Sequence, residues 1–334
     1  MDLPPVPAIR AIVERYARIQ ARLGEELGHR PLVLPTARYF PDAFASNERG
    51  LKRLTARMKR HAGMTDIPTR TRVVDVDGPE GASCGTGSCG ASSCAPQSHD
   101  LQRLADEGDS WRIQVPSPEL RHPVALTTNL ARILAYVFLA ETLPDGEHVE
   151  PPVDVTADLV GVALGFGVLL LQGSYIYSKS CGGPSIAQAT KLGPGELAIA
   201  TALFAKAGNH SLRAAQRELD TTQSALFAEA RSWLESNEAL VEAVRTRPAE
   251  VGRGQFELSD AQPWLMRVFG GRKRSAAEVA FLNEEGLTDA SLGELESLLA
   301  TLPAQAPAQR KQPDPEHDEL SSLVAEALAE SRAE

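Results

Sequence analysis

The chain has 334 residues, with 34 Lys and Arg against 44 Asp and Glu, a net charge of −10. That balance argues against a general nucleic-acid or anionic-membrane binder, because such a protein must present a broad positive face. The length suffices for a large core and for two domains, or for one domain with extensions.

From the N-terminus, Met1 to Pro7 has neither a positive n-region nor an apolar h-region, so no secretory signal is expected. An amphipathic helix follows at 6–28, with Ile9, Ile12, Val13, Tyr16, Ile19, Leu23 and Leu27 as its apolar stripe and Gly28 as its stop. Leu32-Val33-Leu34 reads as a short strand or an extended entry, and the Pro-bounded aromatic segment 35–44 as packing material. A helix is expected at 47–62, with Leu51, Leu54 and Met58 inward and Arg49, Lys52, Arg53, Arg57, Lys59, Arg60 and His61 outward as a solvated basic face. Alternation then predicts a strand over Arg70–Asp77, centred on Arg72-Val73-Val74-Asp75-Val76.

Residues 78–98 are a small-residue loop without core-forming side chains, and they carry Cys84, Cys89 and Cys94 at five-residue spacing. Cys181 sits in a second Gly-rich turn. The spacing matches neither paired zinc knuckles nor iron–sulfur patterns. Three readings stand: zinc held by the three thiols with Cys181 or His99, redox pairing among the thiols, or a loop with no bound ion.

Trp111–Val115 is expected as a strand before Pro116. Two apolar helices come next. Residues 126–141 place Leu126, Leu130, Ile133, Leu134, Val137 and Phe138 at helical spacing, with neither Gly nor Pro between Val124 and Leu143. The helix at 153–171 carries Asp154 and Asp158 one turn apart, so both carboxylates share a face. Its apolar run, Leu159–Leu171, is about 13 residues and contains three Gly, shorter than the roughly 20 residues of a membrane span. The expectation is a packed core helix and a cytoplasmic protein, whose Cys are reduced, catalytic or metal-bound.

Helices are expected at 195–207, near 211–235, at 237–245, at 275–286 and at 289–301. The basic loop Arg272-Lys273-Arg274 reads as solvated surface. Residues 302–315 form a Pro/Ala/Gln linker, and 316–334 an acidic amphipathic tail helix with Leu320, Leu323, Val324 and Leu328 on one side. The expected organisation is an N-terminal helix (1–30), a core (31–210), a helical extension (211–301), the linker and the tail.

Four segments, in order, resemble a family of uncharacterised bacterial proteins with a zincin-type metalloprotease core. They are Leu34-Pro35-Thr36 with Phe40-Pro41-Asp42; Leu126 with Ala131-Arg132-Ile133-Leu134-Ala135-Tyr136; Asp154-Val155-Thr156-Ala157-Asp158-Leu159 with Leu164-Gly165-Phe166-Gly167; and Leu192-Gly193 with Glu196-Leu197 through Ala205. The resemblance covers about half the chain and implies an α+β, mainly helical fold: a degenerate zincin-like core followed by the helical extension.

In the parent motif, two His four residues apart on a helix hold zinc, and the Glu beside the first is the general base. Carried over, the first His is Arg132, the Glu is Ile133, the second His is Tyr136, the third ligand is Asp154, and the bracing carboxylate survives as Asp158. Arg offers a metal no lone pair, and Ile accepts no proton from water. No His pair elsewhere has four-residue spacing, so a hydrolytic zinc site of this type is absent from the sequence.

Chemistry suggests a substitute for the ion. A buried acidic pair without a cation costs several kcal/mol per charge. Arg132 can set its guanidinium where the metal would sit and bond Asp154 or Asp158, with Tyr136 donating to the same carboxylates. The competing reading sends Arg132 to solvent and leaves Asp154 as a helix cap. The leading functional expectation is a non-catalytic protein on this scaffold, without a cofactor at the old site, that binds a protein partner. The alternatives are a metal or redox protein using the Cys loop, and an enzyme using Asp154 and Asp158 as an acid–base pair.

Overall fold

Helix α1 (Val6–Leu27) buries the whole stripe from Ile9 to Leu27 named above, packing on the later helices α4 (Val153–Gly161), α6 (Pro194–Ala207) and α10 (Pro248–Gly252). The structure, a computed structural model, describes residues 3–259 apart from 28, 76–103, 107, 145–147 and 181–182. The Cys loop with Cys84, Cys89, Cys94 and His99, the residue Cys181, and everything expected beyond 259 therefore lie outside the described residues. All described residues belong to one compact unit, Met1–Arg267.

Helix α2 (Glu48–Ala62) starts where Asn47 accepts a hydrogen bond from the Gly50 amide at 3.0 Å, and it stops at Gly63, which takes the left-handed conformation at φ 66°. Its basic face is not uniformly solvated, which corrects the sequence reading. Lys59 is buried, and its ammonium donates to the Ile67 carbonyl, because the chain leaving the helix folds back over that side. Burial lowers its pKa from the ordinary lysine value. His61 is half-buried against Tyr39 and Phe40, at ring separations of 5.5 and 6.0 Å. Arg57 pairs with Asp42 at 2.7 Å.

A small mixed sheet follows, ordered β1 (Thr69–Val74), β3 (Trp111–Pro116), β2 (Leu104–Asp106). β1 runs parallel to β3 in the register Thr69 to Trp111, and β2 runs antiparallel to it. A 3-10 turn, Ser117–Arg121, leads into α3 (Pro123–Thr142). Every residue from Thr128 to Leu139 is buried, so α3 is surrounded on all sides.

The second apolar helix is broken into parts. α4 gives way to a wide π turn, Val162–Phe166, and then to α5 (Gly167–Gly173). Gly165 sits at φ 94°, and a Cβ there would fall 2.0 Å from the Pro31 carbonyl oxygen. The Gly165 carbonyl in turn accepts from the Val33 amide at 2.9 Å. The segment Leu32–Leu34 is thus an extended entry seated on the kink, with Leu32 and Val33 buried. At Gly173 a Cβ would lie 2.1 Å from Thr128 Oγ1, so that glycine sets the close approach of α5 to α3.

The helical segment 153–173 is longer than the apolar run counted in the sequence. It and α3 are each long and apolar enough, by length and composition, to cross a membrane, so the length argument against a span does not hold. Neighbouring elements cover 83% and 78% of the two apolar windows. A hairpin, β4 (Ile176–Ser180) with β5 (Gly183–Ala187), pairs Tyr177 with Ile186 and leads through 188–193 into α6. The expected helix at 211–235 is two helices, α7 (Leu212–Arg217) and α8 (Thr221–Ser236), because Asp220 starts a new N-terminus. α9 (Glu238–Thr246) and α10 complete the described chain, which is mainly helical with few strands.

Candidate functional site

The site lies where α3 crosses α4. On α3, Arg132 and Tyr136 are one turn apart and share a face; on α4 the same spacing aligns Asp154 and Asp158. The Arg132 guanidinium reaches across: its Nε donates to Asp158 Oδ1 at 2.6 Å and its Nη2 to Asp154 Oδ1 at 3.2 Å. Tyr136 Oη donates to the same Asp154 oxygen. Arg132 does not run to solvent: it is 2% exposed, Asp158 is 0% exposed, and the Asp154 side chain keeps 47% of its surface. Ile133 points elsewhere and is fully buried in the apolar core.

A third element, of which the sequence reading had singled out only Leu192, completes the arrangement. The strap between β5 and α6 binds the pair through its backbone. Arg132 Nη1 donates to the Ala189 carbonyl at 3.2 Å, while Asp158 Oδ2 accepts from the amides of Lys191 and Leu192 at 2.7 and 2.8 Å. The strap is further fixed by Thr190 Oγ1 donating to the Leu192 carbonyl at 2.8 Å and by the Ala189 amide bonding the Gly173 carbonyl at 2.8 Å. Backbone donors and acceptors carry no side-chain signature, so neither periodicity nor motif could have marked the contacts of Ala189 and Lys191. One turn before Arg132, buried Asn129 donates to Glu119 at 2.9 Å, a second polar contact the sequence reading did not anticipate.

Burial raises the pKa of the Asp158 carboxyl above its usual value, and the Arg132 charge, the two strap amides and the Arg132 hydrogen bond oppose that rise. Every group aimed at Asp158 in these contacts is a donor, which suits an ionised carboxylate, an acceptor only. The chemical capacity of the cluster follows. It holds three segments together through charge-assisted hydrogen bonds, but a guanidinium neither ligates a cation nor takes a proton from water. Among the described residues, no group of three or more His, Cys, Asp or Glu is placed to hold a metal ion.

Tyr136→Phe is expected to cost about 0.5–1.5 kcal/mol, the loss of one hydrogen bond to a carboxylate that water can still reach. Urea denaturation monitored by circular dichroism measures it. A loss above about 3 kcal/mol would mean that the hydroxyl supports more than Asp154.

No family model, curated protein or solved structure matches the chain.

Proposed function

We propose that the protein is a non-catalytic, partner-binding descendant of a zincin-like metalloprotease scaffold, in which Arg132 has taken the place of the metal between α3 and α4. The observation that carries this is the buried guanidinium bonded to both Asp154 and Asp158, the carboxylates at the third-ligand and bracing positions, respectively, of the resembled motif. The hydroxyl of Tyr136 on the same carboxylate supports it, since the second ligand position then also serves the substitute cation. A protein so built keeps the framework and lacks, at these positions, the ligands and the base that zinc-dependent peptide hydrolysis uses. Binding of a protein partner is the role left to it, and the amphipathic sequence of 316–334 behind a Pro-rich linker fits that role in the cytoplasm.

Rebuilding the motif tests the scaffold. A variant carrying Arg132→His, Ile133→Glu, Tyr136→His and Asp154→Glu should bind about one more zinc ion per chain than the unaltered protein, measured by metal analysis after dialysis. If that variant keeps its helical circular dichroism yet gains no zinc, the scaffold reading fails. If the unaltered protein cleaves peptides in a chelator-sensitive way, the non-catalytic reading fails. For the partner, removal of 302–334 should abolish co-purification of an interacting protein.

A further inference from the structure

A cavity of about 440 Å³ opens between α1, the end of α3, the segment that leads into α4, and α10, and none of Arg132, Tyr136, Asp154 and Asp158 lines it. Its floor is apolar, built from Ile19, Leu23, Leu139 and Val149, the first three of them buried. Its rim is cationic: among the described residues, Arg15, Arg18, Arg22 and Arg253 line it together with the carboxylate of Glu150. The volume falls in the range of about 300–1,000 Å³ typical of small-molecule sites, and a mainly apolar lining with a few convergent polar groups is their usual composition.

The arginines already display the chemistry they suit. Arg18 holds both Glu150 oxygens, Nε at 3.1 Å and Nη2 at 2.9 Å, and Arg15 Nη2 approaches one of them at 3.2 Å. Both arginines are braced from behind by backbone carbonyls, Arg18 by Gly252 at 3.0 Å and Arg15 by Pro151. A planar two-oxygen anion fits such a fork, and Glu150, with 47% of its side chain exposed, fills it from the solvent side.

We propose that this cavity binds an apolar monocarboxylate, such as a medium-chain fatty acid, with the tail on the Ile19–Leu23–Leu139 floor and the carboxylate among the rim arginines, where Glu150 competes with it. The inference is independent of the metalloprotease reading, because it uses none of the residues of the α3–α4 centre.

Titration calorimetry of the full chain with octanoate, 1-octanol and inorganic phosphate tests it. Octanoate should bind at least about tenfold more tightly than 1-octanol and than phosphate, since only it uses both floor and rim. Glu150→Gln, which removes the internal competitor, should tighten octanoate by about threefold to tenfold, and Arg253→Glu should weaken it by about tenfold. Both positions are exposed, and circular dichroism confirms that each variant is folded. Equal binding of octanoate and 1-octanol, equal binding of phosphate, or no octanoate binding in either the unaltered protein or Glu150→Gln would overturn the proposal.

Discussion

Arg132→Met should destabilise the protein by about 3–5 kcal/mol at neutral pH, the cost of leaving a buried carboxylate without its cation. Met approximates the length of the arginine stem, so packing is largely kept, and the loss reports the charge and the three hydrogen bonds. The deficit should shrink in acid. The folded-state pKa of Asp158 lies above its unfolded value of about 3.8, so the folded protein binds the proton more tightly between those two pKa values. Stability from this group is therefore present in full below the unfolded value and is lost as pH rises through the folded one. Removing Arg132 takes away the charge that holds the folded pKa down, which widens that window upward. Urea denaturation of both proteins at pH 7.5 and pH 5, about 2.5 units apart, should show a smaller difference at the lower pH. Arg132→Met combined with Asp158→Asn should recover part of the loss at pH 7.5, because an amide oxygen can still accept from the strap amides. A deficit that is the same at both pH values, with no recovery in the double variant, would mean that Asp158 is not the group left exposed to the change.

Gly165→Ala should cost about 4 kcal/mol or more, or prevent folding. The left-handed backbone alone accounts for about 1–2 kcal/mol. The larger part is steric: the new methyl would lie 2.0 Å from the Pro31 carbonyl oxygen, a backbone atom that cannot turn aside as a side chain would. Moving it displaces the segment whose Val33 amide bonds Gly165 and whose Leu32 and Val33 are buried. Gly24→Ala on α1 is the control, since a Cβ there meets nothing within 4 Å. That variant should gain about 0.5–1 kcal/mol from helix propensity. Thermal denaturation of the two variants, run side by side, measures the contrast. A Gly165→Ala protein within about 1 kcal/mol of the original would show that 31–33 is free to yield.

Much of the centre was legible because helical spacing is itself a statement about direction. Asp154 and Asp158 had to share a face, Arg132 and Tyr136 had to share another, and an arginine inside an apolar run needs an acceptor. The basic face of α2 was read less well: Lys59 sits at an outward-looking position, but the chain after the helix returns over it, and no local pattern encodes that return. The single helix expected at 153–171 failed for the same kind of reason. Its apolar pattern continues through Gly165, and the kink is decided by the Pro31–Val33 segment lodged against it.

The sequence by itself determined the mainly helical class, the buried faces of α1 and α3, and the placing of Arg132 with Tyr136 and of Asp154 with Asp158 one turn apart on their helices. These depend on residue type and on spacing within one element. The tertiary structure alone decided that Arg132 is locked inward, that residues 188–192 close the cluster through their backbone, and that four arginines gather around one apolar cavity. Those outcomes depend on contacts between segments distant in the chain, made in part by backbone atoms, which every residue other than proline carries alike.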